Sequence, residues 1–401
     1  MLKWMKSKLD GRFYSSSCQE QSSESSKQKI LIVGAGLAGV TTAYYLAKLG
    51  LYNITVIDKQ FPIWGASEQN GCTITMIPYP SFTNTNYWGI VKENIVSRNP
   101  SSIFKFKLLL DSQFRYWLRK FINNTSKAAI DRSNDGVFSL NLYGIHLWKQ
   151  FASEVTSNPD LFDYHHTWIL SILTENNDSL IQQKKYFHDL ANQSGIESGV
   201  VDPKDYSKYL QVEKYFKGLT PDYTIYKMSS YVINPAKFWN YMKSYLENTH
   251  GVNFIEGEVT KINYSQGQIN SLEFNSKGKA ESISKIDKYI FCSGVGSISL
   301  CQMLGYKIPI YGIKGHSFNY YPKSEDMIMN TYYLLNENIL LTQVGVNTDN
   351  WVRVSGYGDL TGINTDIIPK RSQMLIDFAK EFLGHEEYDE QKAHHWAGLR
   401  Y

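Results

Sequence analysis

Lys29-Ile30-Leu31-Ile32-Val33-Gly34-Ala35-Gly36-Leu37-Ala38-Gly39 is the stretch on which the fold turns. A short apolar run, KILIV, ends in glycines, which suits a strand buried on both faces of a parallel sheet. Leu37–Leu49 then carries helix-forming residues with apolar positions at Leu37, Val40, Tyr44 and Ala47, and Gly50 is placed to stop that helix. Ile54–Ile57 is a second apolar run. Strand, helix and strand within about 30 residues make one right-handed βαβ unit.

GxGxxG at Gly34, Gly36 and Gly39 gains its meaning from that context, because it follows a strand and opens a helix. Gly34 permits the tight turn, Gly36 lets backbone approach a pyrophosphate, and Gly39 lets helix and strand pack closely. The phosphates then meet the free N–H groups and positive dipole end of the helix. Asp58, followed by Lys59, ends the second strand, where a carboxylate accepts hydrogen bonds from ribose hydroxyls. A glycine-rich turn with a surface Asp is the plainer alternative. The motif by itself does not separate FAD from NAD.

Composition narrows the rest. The 401 residues are enough for a large core and two domains. A net charge of +3 without a dense basic run gives no nucleic-acid argument. Cys18, Cys72, Cys292 and Cys301 form neither a CxxC nor a zinc-ligand spacing, so no metal site or disulfide framework is expected. Reduced thiols fit an intracellular compartment. No run approaches the ~18 apolar residues of a membrane span. Residues 1–28 differ from the remainder. Lys3, Lys6, Lys8 and Arg12 alternate with Leu2, Trp4, Met5 and Leu9, and serines follow. That composition predicts a mitochondrial transit peptide. The alternatives are a disordered tail and a cytoplasmic protein.

Further along, helices are predicted over 99–122, Val137–Val155, Lys185–Ser194 and Pro235–His250. Strands are predicted at Phe254–Ile255, Val259–Tyr264, Ile269–Phe274 and Ile286–Cys292, punctuated by Gly257 and Gly267. The region from Ile310 to about Val354 reads mainly as strands. No sharp linker appears after residue 28, so two domains are expected to interleave.

The segment Trp64-Gly65-Ala66-Ser67-Glu68-Gln69-Asn70-Gly71-Cys72 selects the cofactor. A small, polar loop just after the ribose acid suits a flavin, whose ribityl chain and ring lie against close backbone. Ala66, Ser67 and Asn70 resemble the "ASxxNxG" segment of D-amino-acid dehydrogenases, within the D-amino-acid-oxidase-like flavoprotein superfamily; Cys72 stands where many members have Gly. The resemblance continues in order. Asn234-Pro235-Ala236-Lys237-Phe238 and Gly251-Val252 are similar to "DPxxF…Gv", with Asn234 replacing the acid. Glu258-Val259-Thr260 is similar to the strand whose backbone meets the adenine. Tyr289–Ser297, which contains Ser293 and Gly294, Ile308–Ser317 and Trp396–Arg400 resemble three further segments.

The resemblance implies an α/β fold, α+β overall. A Rossmann-type FAD-binding domain (29–95 and 231–300) interleaves with an antiparallel-sheet substrate domain carrying a helical insertion (96–230 and 301–401). Gly34, Gly36, Gly39, Asp58, Lys59, Ser67, Asn70, Gly71, Val259, Ser293 and Gly294 are the implied FAD contacts. The implied reaction oxidises the C–N bond of an amino acid or secondary amine by hydride transfer to flavin N5. A quinone, a carrier or O2 then reoxidises the flavin, and a glycine/sarcosine-type oxidase is the near rival. Arg400, in Trp396-Ala397-Gly398-Leu399-Arg400, is the implied cation for a substrate carboxylate, which a guanidinium pairs bidentately; the alternative is a surface arginine. His316, in the Lys314-Gly315-His316-Ser317 turn, stands where Tyr is common and is expected to line the pocket or else to be packed. His394-His395 is not a metal pair, because adjacent residues point in different directions.

The chain ends at Tyr401, where family members continue with a Pro, a "TPDGxPxIG" segment and a helix. The expectation is that the segment closing the FAD domain is missing. Three readings follow: a fragment of an active enzyme, a non-catalytic relative acting as a binding protein, or a genuine ending compatible with flavin binding.

Overall fold

The computed structural model describes residues 27–62, 65–76, 87–97, 102–155, 158–173, 178–210, 223–323, 328, 330–335, 337–345, 351–384 and 387–400. The expected transit peptide lies outside the described residues, apart from its last two positions, and so do Trp64 and Tyr401. In chain order the strands are β1 (Gln28–Val33), β2 (Tyr52–Asp58), β3 (Thr73–Ile74), β4 (His165–Leu173), β5 (Ser198–Val200), β6 (Thr224–Val232), β7 (Asn253–Glu256), β8 (Glu258–Ser265), β9 (Gln268–Ser276), β10 (Lys279–Ser284), β11 (Lys288–Phe291), β12 (Ile313–Tyr320), β13 (Thr331–Leu334), β14 (Ile339–Gln343), β15 (Val352–Asp359) and β16 (His394–Arg400).

The βαβ unit forms as the sequence predicts. β1 is apolar on both faces because both are covered: Ile30 and Ile32 pack into one cluster, Leu31 and Val33 into another. It lies at the centre of a parallel sheet ordered β11-β1-β2-β7. Helices Leu37–Lys48 and Pro235–His250 cover one face, through Val40, Ala43, Phe238, Trp239 and Met242. The antiparallel sheet β10-β9-β8 covers the other, through Ile262, Leu272 and Phe274. Gly50 sits at φ +68 beyond the first helix, the left-handed conformation that glycine adopts without strain.

Helix Pro235–His250 matches its predicted bounds, and Asn234 explains its start. The Asn234 side chain accepts from the N–H groups of Ala236 and Lys237, and Pro235 follows at the first helical position. Asparagine caps as well as the expected acid would, so the fold keeps the segment.

The second body is a nine-stranded sheet with the path β16-β12-β15-β14-β13-β4-β6-β3, and β5 paired to β6. One face is apolar and packs helix Pro369–Leu383 through Phe318, Val354, Leu341, Leu375 and Phe382. The opposite face meets the loop at residues 65–71 and the helices Lys127–Val155 and Asp178–Gln193. Two contacts cross the domain boundaries expected from sequence. Strand β6 runs across the boundary expected at 230/231 and carries β3, from within the expected FAD-binding bounds, onto the edge of the large sheet, and Phe151 and Val155 pack with Ile30 and Val40.

Four predicted elements differ clearly in extent, one of them being helix Asp178–Gln193, which begins seven residues before its expected start at Lys185. The helix expected over 99–122 is broken at Asp111, whose side chain caps Gln113 and Phe114, so a 3-10 turn (Phe106–Leu110) precedes helix Ser112–Ile122. Helix Lys127–Val155 begins ten residues before its expected start at Val137; its polar first turns lack the apolar periodicity by which its end was recognised. The run Ile286–Cys292 yields only Lys288–Phe291, and hairpin strand β10 before it carries too few apolar residues to be seen. The turns on either side of β9 are Gln266-Gly267 and Lys277-Gly278, each with two positive φ values, as tight hairpins require.

Candidate functional site: a glycine cradle facing a polar sheet

The phosphate loop is built so that side chains cannot enter it. A Cβ on Gly39 would lie 1.9 Å from the Gly34 carbonyl oxygen. A Cβ on Gly34, which adopts φ +106, would lie 2.6 Å from the Cys292 carbonyl. Gly36 occupies the N-cap of helix Leu37–Lys48, supplies no side-chain cap, and leaves the dipole's positive end facing the loop. The Ser67 hydroxyl stands 3.0 Å from the Leu37 N–H and accepts from it, the kind of oxygen a phosphate would present. These residues fit a pyrophosphate.

Neighbouring segments close around the loop. Asp58 accepts from the Ala35 N–H at 2.7 Å, and burial pushes its carboxyl up while that N–H partly offsets the rise. Lys59 beside it is exposed. The Gly257 N–H donates to the Asp58 carbonyl at 2.7 Å, which sets β8 and Val259 beside the strand end that bears Asp58. The Ser293 hydroxyl donates to the Val33 carbonyl at 2.8 Å, and Gly294 turns the chain at φ +56. Asn70 acts inside its own loop: its amide donates to the Ser67 carbonyl and its oxygen accepts from the Cys72 N–H. Gly71 packs where a Cβ would lie 2.5 Å from Leu340, and its carbonyl accepts from Thr342. The three glycines, Asp58, Ser67, Asn70, Gly71, Ser293 and Gly294 thus lie on segments that touch one another at this loop, and Lys59 and Val259 lie on the adjoining chain.

Sequence reasoning missed Trp239. Its indole N–H donates to the Ala35 carbonyl at 2.7 Å, in the interior, and Phe61 stacks on its ring at 5.7 Å. The tryptophan holds the phosphate loop from a helix 204 positions away in sequence.

The large sheet separates the two residues expected to flank substrate. β12 pairs with β16 in unbroken antiparallel register, Ile313 opposite Arg400 and His316 opposite Ala397. Alternation therefore puts Ile313, Gly315, Ser317, Asn319 and Arg400 on one face, and Lys314, His316 and Phe318 on the other. Arg400 is exposed; its guanidinium lies over Gly315, where a Cβ would stand 3.1 Å from Nε, and it donates to the Tyr357 carbonyl. Tyr357 adopts φ +63 at a bulge in β15, which turns its ring onto Arg371 at 4.2 Å and its carbonyl toward Arg400.

His316 is buried on the helix-covered side, and its Nε2 lies 3.4 Å from Asp359 Oδ2. Asp359 also receives two hydrogen bonds from Arg371, at 2.7 and 3.1 Å, and the Ile103 N–H at 2.7 Å. Burial would raise that carboxyl, yet these donors hold it below the usual carboxylate range. The structure thus gives His316 the packed alternative, beside a buried ion pair rather than along the polar face. Lys314, on the same side, donates to Asn364 and to the Asp366 carbonyl. His394 and His395 point apart, as expected: His395 stacks on Phe318 at 4.5 Å, and His394 belongs to the polar face.

A second arginine, Arg353 on β15, occupies that polar face and donates to Gln69 at 2.8 Å. The 65–71 loop therefore touches the phosphate helix through Ser67 and the large sheet through Gln69 and Gly71.

Comparison with known proteins agrees with this arrangement. The family model described as "DAO: FAD dependent oxidoreductase" matches residues 29–401. A D-amino acid dehydrogenase from Dechloromonas aromatica (strain RCB) is 24% identical over 385 residues, covering 93% of this chain and 86% of its own length. Among solved structures, glycine oxidase from Geobacillus kaustophilus superposes with a TM-score of 0.62 at 13% identity, covering 93% of this chain and 83% of that one. L-proline dehydrogenase from P. horikoshii does so with a TM-score of 0.61 at 15% identity, covering 93% and 81%. At those identities the structural likeness concerns the fold.

Proposed function

The chain belongs to the FAD-dependent oxidoreductase (DAO) family, and from that premise we propose that it oxidises the C–N bond of an α-amino acid, in the manner of a D-amino acid dehydrogenase. One observation carries the proposal. The loop at residues 65–71 joins the glycine cradle to the polar face of the large sheet, so cofactor-binding and substrate-binding groups meet along a single segment.

FAD, when bound, supplies the two-electron acceptor for hydrogen leaving the substrate Cα. The chain's own residues bind and orient. Gly34, Gly36, Gly39 and the helix N-terminus hold the pyrophosphate, and Asp58 holds the ribose. Arg400 takes the α-carboxylate; the flat ground of Gly315 lets its guanidinium lie close to the sheet. Tyr357 fixes the guanidinium through its carbonyl.

The test is anaerobic reduction of the FAD-loaded chain. D-Alanine is expected to bleach the visible flavin band, and Arg400→Gln to raise the KM for D-alanine more than it lowers kcat. A flavin that stays oxidised with every amino acid and secondary amine tried would leave the non-catalytic reading in its place. The electron acceptor is proposed to be a quinone or carrier rather than O2. Stoichiometric peroxide in air would favour the oxidase reading. Mitochondrial delivery by residues 1–28 is a further proposal, tested by fusing them to a fluorescent reporter.

A further inference from the structure

Two arginines share the polar face of the large sheet, and they differ in what they already hold. Arg400 lies at its exposed end. Arg353 is 3% exposed, opposite Asn319 on β12 and Thr342 on β14. Among the described residues its guanidinium donates one hydrogen bond, to the neutral Gln69 amide, and rests over the Trp351 ring at 5.2 Å, while its Nε makes none. Arg371, equally buried, is matched by two bonds to Asp359. A buried guanidinium whose one hydrogen bond among the described residues goes to a neutral amide, with the Glu68 carboxylate nearby but not bonded to it, is costly, and ligand-binding groups are where such a cost persists.

Its neighbours are unfinished too. Ser317 Oγ and Asn319 Oδ1, on the same face, are buried without hydrogen-bond partners. Glu68, in the 65–71 loop, feels the Arg353 charge, yet its buried Oε2 bonds to nothing. These groups form a buried polar cluster around the Arg353 cation.

Spacing suggests the ligand. The Arg400 guanidinium lies over Gly315, and Arg353 pairs with Asn319, four residues further along β12. At a strand rise of ~3.3 Å per residue that is about 13 Å. Two guanidiniums so placed, each reaching inward by one hydrogen-bond length, span a ligand with carboxylates at both ends.

We propose that Arg353, with the Ser317 hydroxyl, binds the side-chain carboxylate of an acidic amino acid whose α-carboxylate is held by Arg400. The proposal rests on the amino-acid reading above. It makes the preferred substrate class a dicarboxylic one, of glutamate length.

The FAD-loaded chain is to be compared with Arg353→Met and Arg353→Lys, using D-glutamate and D-alanine as reductants and glutarate as a non-reducible probe. Wild type is expected to show the lower KM for D-glutamate. In Arg353→Met the ratio of the D-glutamate KM to the D-alanine KM should rise by about 10- to 100-fold, the ratio that a lost hydrogen bond to a charged group gives. Arg353→Lys should recover part of that ratio. Glutarate should perturb the flavin spectrum of wild type and fail to do so in Arg353→Met. Should that variant not fold, Asn319→Asp places a carboxylate beside the guanidinium and should abolish the glutarate response. Equal KM changes for both amino acids, or an unchanged glutarate response, would overturn the proposal in favour of a structural role. A shifted flavin potential with unchanged glutarate affinity would overturn it in favour of a contact to the cofactor. If no amino acid bleaches the flavin, the proposed function has failed, and the glutarate titration still decides the role of Arg353.

Discussion

Replacing Trp239 by Phe isolates the least visible support of the phosphate loop. The substitution keeps an aromatic ring against Phe61 but removes the N–H that meets the Ala35 carbonyl at 2.7 Å. That carbonyl is buried between Gly34 and Gly36. An unsatisfied buried acceptor costs about 1–3 kcal/mol. The smaller ring adds roughly 1 kcal/mol for lost packing in a cluster that includes Val40 and Met242. The expected total is about 2–4 kcal/mol, and the hydrogen-bond part falls on the loop. If the loop must be re-ordered when FAD binds, about 2 kcal/mol appears in the dissociation constant as a weakening of roughly 30-fold. Titrating apoprotein with FAD, followed by quenching of flavin fluorescence, gives the constant. Urea unfolding of the apoprotein gives the stability. A variant that loses the full stability but binds FAD like wild type would refute the reasoning, because the indole would then support only the core.

Gly39→Ala should be more severe. Its Cβ would stand 1.9 Å from the Gly34 oxygen, so loop and helix must separate; FAD retention through gel filtration should be lost. Asp359→Asn leaves the buried Arg371 charge without its carboxylate and should cost about 3–5 kcal/mol at neutral pH, read by urea unfolding. Because the folded Asp359 carboxyl lies below the usual range, its contribution should be present above about pH 4 and fade as pH falls through the folded value. His188, which hydrogen-bonds Ser198, has its imidazole pushed down to about 4 by burial and then by the Lys184 charge. Its folded form stays neutral where the unfolded one protonates, so stability should fall between about pH 6.5 and 4, by roughly 3 kcal/mol in all. Melting curves of His188→Asn across that range should show a shallower decline.

What was legible in the sequence was local. The GxGxxG loop, Asp58, Ser67 and Asn70 lie within 37 residues, and each demand arises from turns or close approaches inside that span or just beside it. Helix Pro235–His250 was legible for the same reason, since a capping Asn, a Pro and a terminal Gly mark both ends. The groups that were not legible act across the fold. Trp239 meets a residue 204 positions away, and Arg353 meets one 284 positions away. His316 shows a different limit. The sequence reads mainly as strands in that region but suggests a turn over residues 314–317, which lie within β12, and alternation assigns a face only when one knows which side is covered. Helix Pro369–Leu383 covers the side of His316, and nothing near residue 316 announces that helix.

The 65–71 loop explains why a short stretch of small and polar residues is so diagnostic. Each of its residues answers to a different constraint. Ser67 must be small enough to approach Gly36, whose own Cβ would stand 2.9 Å from its hydroxyl, and polar enough to accept from Leu37. Asn70 must close the loop on itself, bridging the Ser67 carbonyl and the Cys72 N–H. Gly71 must let the backbone reach Leu340 and Thr342. The Gln69 side chain has none of those duties, and it extends to Arg353. On the proposed function, the work of placing a nucleotide beside the sheet would fall on Ser67, Asn70 and Gly71, and the choice of what the sheet binds on Gln69 and on whatever lies opposite it. A family that keeps its cofactor while changing its substrate would vary that position and its partner on β15, leaving the three placing residues as they are.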